Sequence, residues 1–176
     1  GGYGHSLDAW LPYDALGALG SFAELRRAGA HYPVEALVYT GQETTLMRSA
    51  WVNGNGNLGL GAKVAVIDLG FSNLAQVQAA NEVPSNAIGI DYTGTGLSNG
   101  TVHGSAVAEV VAEMAPQAQL YLMKIANSVQ LGQAASFCKT NGIRIVYHSV
   151  GWFLTSFGDG TGAIADRVGP RNIVSL

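Results

Sequence analysis

The chain of 176 residues is long enough for one domain with a sizeable core. Its 48% apolar and 12% charged content excludes a disordered polymer and argues for a compact α/β body. A net charge of -3 leaves no basic footprint for nucleic acid, and no run approaches the roughly 18 uninterrupted apolar residues of a membrane span.

Residues 1–42 differ in character from the rest of the chain and are expected to be a lead-in or the tail of a propeptide. Within them Leu16, Leu19, Phe22 and Leu25 recur at helical spacing, which predicts a short helix burying that stripe and leaving Glu24, Arg26 and Arg27 wet. A second short helix is expected over residues 44–52, then a glycine and asparagine loop over 53–61. The start shows no charged, apolar, small-residue targeting pattern, and the β-type run at 171–176 looks cut off, so a fragment is expected.

From Lys63 strand and helix alternate. Val64 to Ile67 form a β-branched run of the kind covered on both faces in a parallel sheet. Ala87 to Tyr92 is a weaker strand, followed by a turn region rich in glycine and threonine. Val107, Val110, Val111 and Met114 predict a helix with Glu109 and Glu113 opposite, ended by Pro116. Leu120 to Ile125 predicts a strand and Leu131 to Thr140 a helix closed at Asn141-Gly142 by a left-handed glycine cap. Ile143 to Val150 predicts a further strand. Cys138, the single cysteine, has no disulfide partner and sits in an apolar helical pattern, which predicts a buried, inert thiol.

The implied architecture is α/β: three layers, a mainly parallel sheet flanked by helices, joined by right-handed crossovers. Ligands of such sheets bind beyond the carboxyl ends of the strands, where Asp68 and Ser149 fall. Asp68 follows four apolar strand residues, so its carboxylate is partly desolvated and needs a donor. One candidate is His103, at the mouth of the helix that begins near Gly104; the other is the turn after Asp68, through Gly70 or Asn73. His103 in turn is either a general base oriented by that carboxylate or a solvated group at a helix start.

Four blocks bear on that choice: Ala65-Val66-Ile67-Asp68-Leu69-Gly70, His103-Gly104-Ser105-Ala106-Val107-Ala108, Ala115-Pro116-Gln117-Ala118-Gln119-Leu120-Tyr121 and Ser149-Val150-Gly151. In this order they resemble the subtilisin-like serine endopeptidases, over roughly residues 43–165. The resemblance implies that residues 43–176 are the N-terminal portion of such a peptidase domain. Asp68 would be the orienting carboxylate and His103 the general base, with Ser149, Val150 and Gly151 forming an edge that pairs with a polypeptide substrate by strand addition. It further implies secretion or display at the cell surface, and a reaction without a cofactor, structural calcium being known in the family.

The chain departs from the family where the nucleophile should stand. The Gly-Thr-Ser-Met-Ala-x-Pro block and the asparagine of the oxyanion hole do not occur in it, and neither Ser105, within the histidine block, nor Ser175, in a strand-like run, replaces them. Tyr147-His148 stands where the family more often has asparagine and an apolar residue. These 176 residues are therefore expected to be inactive alone. The alternative is a non-catalytic homologue, a binding or structural module that keeps Asp68 and His103 as a hydrogen-bonded relic.

Other motifs are weaker. Gly54-Asn55-Gly56-Asn57-Leu58-Gly59 matches the dinucleotide fingerprint but precedes a strand instead of coming after one. Asp68, His103 and His148 lack the short spacing of metal ligands, and the loop at 158–162 has one carboxylate, too few for calcium. Trp152 and Phe153 belong either to a substrate cleft or to the core.

Overall fold

The computed structural model describes residues 2–7, 9–26, 28, 35–36, 54–152, 161–162, 164 and 174–175. A hairpin of β1 (Gly2–Tyr3) and β2 (Ser6–Leu7) opens the chain, followed by a 3-10 helix at Tyr13–Ser21 and the two-residue β3 (Glu35–Ala36). The α/β body runs as β4 (Lys63–Asp68), α1 (Leu74–Ala79), β5 (Ile88–Asp91), α2 (His103–Met114), β6 (Gln119–Lys124), α3 (Ser128–Thr140) and β7 (Ile145–His148). Two short strands complete the elements, β8 (Val150–Gly151) and β9 (Val174–Ser175).

Five strands pair in parallel in the order β5-β6-β4-β7-β9, which places β4 at the centre. Successive strand residues point to opposite faces. Val64 and Val66, with Leu120 and Leu122, therefore face one way and form a core with Phe71, Leu74, Val83, Ala108 and Ala112 from the α1 and α2 side. Ala65 and Ile67 face the other way, and join Tyr121, Met123, Leu131, Ala134, Cys138 and Val146 on the α3 side. The body is thus an α/β structure with helices on both faces of a parallel sheet.

Cys138 is fully buried and unpaired, and burial pushes its thiol up to about 12, as an inert core cysteine requires. The cap of α3 is a Schellman turn: Gly142 has φ 67°, Ile143 N–H donates to Cys138 O at 2.8 Å, and Gly142 N–H to Lys139 O at 3.4 Å. At its other end α3 starts three residues before the expected Leu131. There the Asn127 side chain accepts from Gln130 N–H at 2.9 Å, and Gln130 Oε1 accepts from Ala126 N–H at 2.6 Å.

Three expectations need correction. The stripe of Leu16, Phe22 and Leu25 is exposed: the 3-10 helix ends at Ser21, before two of the three, and none of them belongs to either apolar core cluster of the described residues. On α2 the fully buried positions are Gly104, Ser105, Ala108 and Ala112, while Val107 and Val111 flank them partly buried. Small residues face the sheet because the helix lies close to it. The run expected as one strand over 143–150 is two: β7 stays in the parallel sheet, whereas β8 leaves it to pair with β3. α1 and the opening hairpin carry no periodic signal in the sequence, since six residues and two residues are too short for periodicity to register. The helix expected at 44–52 and Phe153 lie outside the described residues. So does most of the 158–162 loop.

Residues 54–61 form the expected loop, with Gly56, Gly59 and Gly61 at positive φ, and lead into β4. A glycine run that enters a strand has no helix N-terminus with which to hold a pyrophosphate. Among the described residues no helix is long and apolar enough to cross a membrane.

Candidate active site

Alternation along β4 decides where Asp68 points. As the last of the positions 64, 66 and 68, it faces the α2 side at the carboxyl end of the central strand, fully buried. One of its oxygens, Oδ1, accepts the Leu69 N–H at 2.7 Å, and the other, Oδ2, lies 2.7 Å from His103 Nδ1. Both candidate donors named from the sequence are thus resolved: the histidine supplies one, and the backbone of the next residue, in place of Gly70 or Asn73, supplies the other. Burial pushes the Asp68 carboxyl up from its ordinary value, against the Leu69 hydrogen bond and the neighbouring His103, which pull it down.

His103 is the first residue of α2, with its side chain only 10% exposed. It is held there by two backbone devices. Thr101 Oγ1 accepts the His103 N–H at 2.9 Å, closing the turn before the helix. Next, Gly104 packs directly on the strand end: its N–H donates to Gly70 O at 3.2 Å, and a Cβ at this position would lie 2.4 Å from Gly70 O and 2.9 Å from Asp68 Cβ. The neighbouring Gly70 is confined in the same way, since its own Cβ would lie 2.5 Å from Asn99 O and 2.6 Å from Thr101 N. These two glycines allow three backbone segments to converge, and the convergence brings the ring to the carboxylate.

Gly104→Ala is therefore expected to destabilise. Alanine gains about 1 kcal/mol of helix propensity over glycine, but the added methyl meets a carbonyl oxygen and a strand Cβ that cannot swing away, an overpacking cost of about 1–3 kcal/mol. The net loss should register as a lower urea midpoint with an unchanged m-value. A midpoint equal to or above that of the unaltered chain would contradict the close approach.

The remaining site residues fall elsewhere. Ser105 is 3% exposed on the sheet-facing side of α2, and its hydroxyl has no hydrogen-bond partner among the described residues, so His103 does not activate it. Ser175 lies in β9, separated from β4 by β7. Of the substrate-edge residues, Val150 and Gly151 are already paired antiparallel, with Ala36 and Glu35 respectively. His148 stands level with Ile67 on β7 and so shares the α3 face, opposite to Asp68 and His103; a shared metal site for the three is precluded. Its ring stacks on Trp152 at 5.8 Å, and Nε2 accepts the Trp152 indole N–H at 3.0 Å. Trp152 packs against the α3-side core.

A polar network beside the pair had no obvious signal in the sequence. Lys124 ends β6 and is 4% exposed; its ammonium donates to Thr95 Oγ1 and to Gly96 O, each at 2.7 Å. At the end of β5, Asp91 accepts from Thr93 N–H, Thr93 Oγ1 and Gly96 N–H. Desolvation acts to raise the Asp91 carboxyl, yet these hydrogen bonds and the Lys124 charge hold it below its ordinary value. A lysine after an apolar run looks like a solvated strand end, and only the register shows otherwise. Among the described residues no group of three or more His, Cys, Asp or Glu is placed to hold a metal ion.

No protein-family model matches the chain, and no curated protein matches it.

Proposed function

We propose that these residues are the N-terminal part of a subtilisin-like serine endopeptidase domain, in which Asp68 orients His103 for general-base catalysis of peptide-bond hydrolysis. The observation that carries this reading is the 2.7 Å contact between His103 Nδ1 and the fully buried Asp68 Oδ2. A buried carboxylate on Nδ1 keeps the proton on that nitrogen and leaves Nε2 as the base. The nucleophilic serine and the oxyanion donors would come from polypeptide outside the 176 residues.

In this reading Nε2 takes the serine proton as its oxygen attacks the scissile carbonyl, and the imidazolium, stabilised by Asp68, then protonates the departing amine. Water repeats the sequence on the acyl-enzyme and releases the second product. Strand addition at Val150–Gly151 fits the same scheme, since that edge already accepts an antiparallel partner in β3. A peptide substrate using the same side of the edge displaces residues 35–36. The reaction calls on protein groups and water alone, and such a peptidase is expected outside the cell or at its surface.

The test uses the full-length polypeptide encoded with this chain and a fluorophosphonate probe, which phosphonylates a serine only when an oriented base activates it. Labelling of one serine outside these residues, abolished by His103→Ala, is the expected result. A full-length polypeptide that takes no label would leave the pair as a structural relic in a binding or structural module.

A further inference from the structure

The segment that delivers His103 to the strand end runs from Thr93 to Thr101, and it is fastened at both ends. At one end it is bound by the charges that terminate two strands. Asp91, Lys124 and Asp68 stand level with one another on β5, β6 and β4, so the three side chains share the α2 face in the order carboxylate, ammonium, carboxylate. The middle group turns to the loop, where its two hydrogen bonds go to Thr95 and Gly96. At the other end Phe71 N–H donates to Leu97 O at 3.1 Å, Ser72 N–H to Thr101 O at 3.1 Å, and Ser72 Oγ reaches Ser98 O and Gly100 O. Leu97 closes the middle of the loop: its Cδ2 occupies the space a Cβ on Gly89 would need, at 2.4 Å.

A buried ammonium is retained at a cost in desolvation, and removing its charge while leaving its acceptors unpaired costs more. Here it holds backbone that has no regular secondary structure of its own. The loop ends in the Thr101 hydroxyl that closes the turn at His103, and its Asn99 and Thr101 backbone presses on Gly70, immediately after Asp68 and Leu69. Displacing Gly96 therefore shifts the ring and the carboxylate relative to each other.

We propose that Lys124 is a positioning residue for the Asp68–His103 pair, acting through the 93–101 loop that it clamps with Asp91. The proposal rests on the reading of that pair as orienting carboxylate and base, and its test is independent of peptidase activity. In proton NMR of the 176-residue chain, the His103 Nδ1–H held by a buried carboxylate gives a strongly downfield, slowly exchanging resonance, assigned by its loss in His103→Ala.

Lys124→Met keeps the apolar stem and deletes the charge; loss of the downfield resonance is expected. Thr95→Val, at an exposed position, removes one of the two loop acceptors while Gly96 O still accepts from the ammonium, and faster solvent exchange of the same proton is expected, with Thr95→Ser restoring the original behaviour. Leu131→Ala opens a cavity in the opposite, α3-side core and reports general destabilisation; it is expected to keep the resonance. Retention of an unchanged resonance in Lys124→Met, or in Thr95→Val should Lys124→Met fail to fold, overturns the proposal. So does equal loss in Leu131→Ala, which would reduce the effect to stability. If the unaltered chain lacks the resonance, the pair itself is not formed and both readings fall. If the variants behave as expected while the full-length polypeptide takes no fluorophosphonate, the positioning role stands and the peptidase reading alone is lost.

Discussion

Under the proposed peptidase reading, Asp68→Asn is expected to lower kcat of the full-length polypeptide by about four orders of magnitude, the scale on which an orienting aspartate acts in a serine triad. The reason lies in the two donors that Asp68 serves. Its carboxylate accepts the Leu69 N–H on one oxygen and faces His103 Nδ1 with the other. An asparagine has one oxygen and one amide nitrogen for these two places. If the oxygen keeps Leu69, the NH2 group faces the ring, Nδ1 must accept, and the proton moves to Nε2, where it abolishes the base. If the amide flips, the Leu69 N–H is left against a donor in a fully buried site, at a cost of about 1–3 kcal/mol. The first arrangement is the cheaper one, so the substitution acts on chemistry more than on folding. Steady-state kinetics with a peptide substrate, paired with a urea midpoint, checks both halves. A variant within about tenfold of the original rate would remove Asp68 from the mechanism.

Acid should weaken the fold through the second partly buried imidazole, that of His148. Burial pushes His148 down from its ordinary 6.5 to about 4, and only its unprotonated Nε2 accepts the indole N–H of Trp152. The unfolded chain binds a proton near pH 6.5 while the folded chain resists until about pH 4. The stability contributed by neutral His148 is therefore intact above pH 6.5 and is lost progressively as the pH falls to about 4, roughly 3 kcal/mol in all at 1.36 kcal/mol per unit. Asp68, raised by burial, contributes with the opposite sign. The comparison with His148→Gln isolates the histidine, because Asp68 is present in both chains and glutamine offers the indole an acceptor that does not titrate. Urea midpoints measured from pH 7 to pH 4 should fall more steeply for the unaltered chain than for the variant. Parallel profiles would show that His148 titrates at its ordinary value.

Much of this arrangement was legible before the fold was known, and the reasons differ by element. β4 announces itself by four apolar β-branched or small residues ending in a carboxylate, and β6 by a similar run. The union of Asp68 with His103, 35 positions apart, was suggested by the order of the blocks that resemble a peptidase. What the residues alone left open was the face: parity along β4 has meaning only once α2 is known to cover the even side. The buried side of α2 is hidden from the sequence because hydropathy favours valine over alanine and glycine, whereas a helix pressed onto a strand end favours small residues. The start of α3 is encoded in the capping side chains of Asn127 and Gln130, whereas its apolar periodicity begins only at Leu131. Lys124 gave no such warning, because burial of an ammonium depends on acceptors that a loop brings from 29 positions away.

The placement of the two histidines on opposite sides of the sheet has a practical corollary for anyone wishing to redesign this protein. Acid tolerance can be engineered on the α3 side, at His148 and Trp152, on the face opposite to His103, because among the described residues no side chain belongs to both apolar clusters. The same partition lets the two traits be optimised in parallel and the best substitutions then combined.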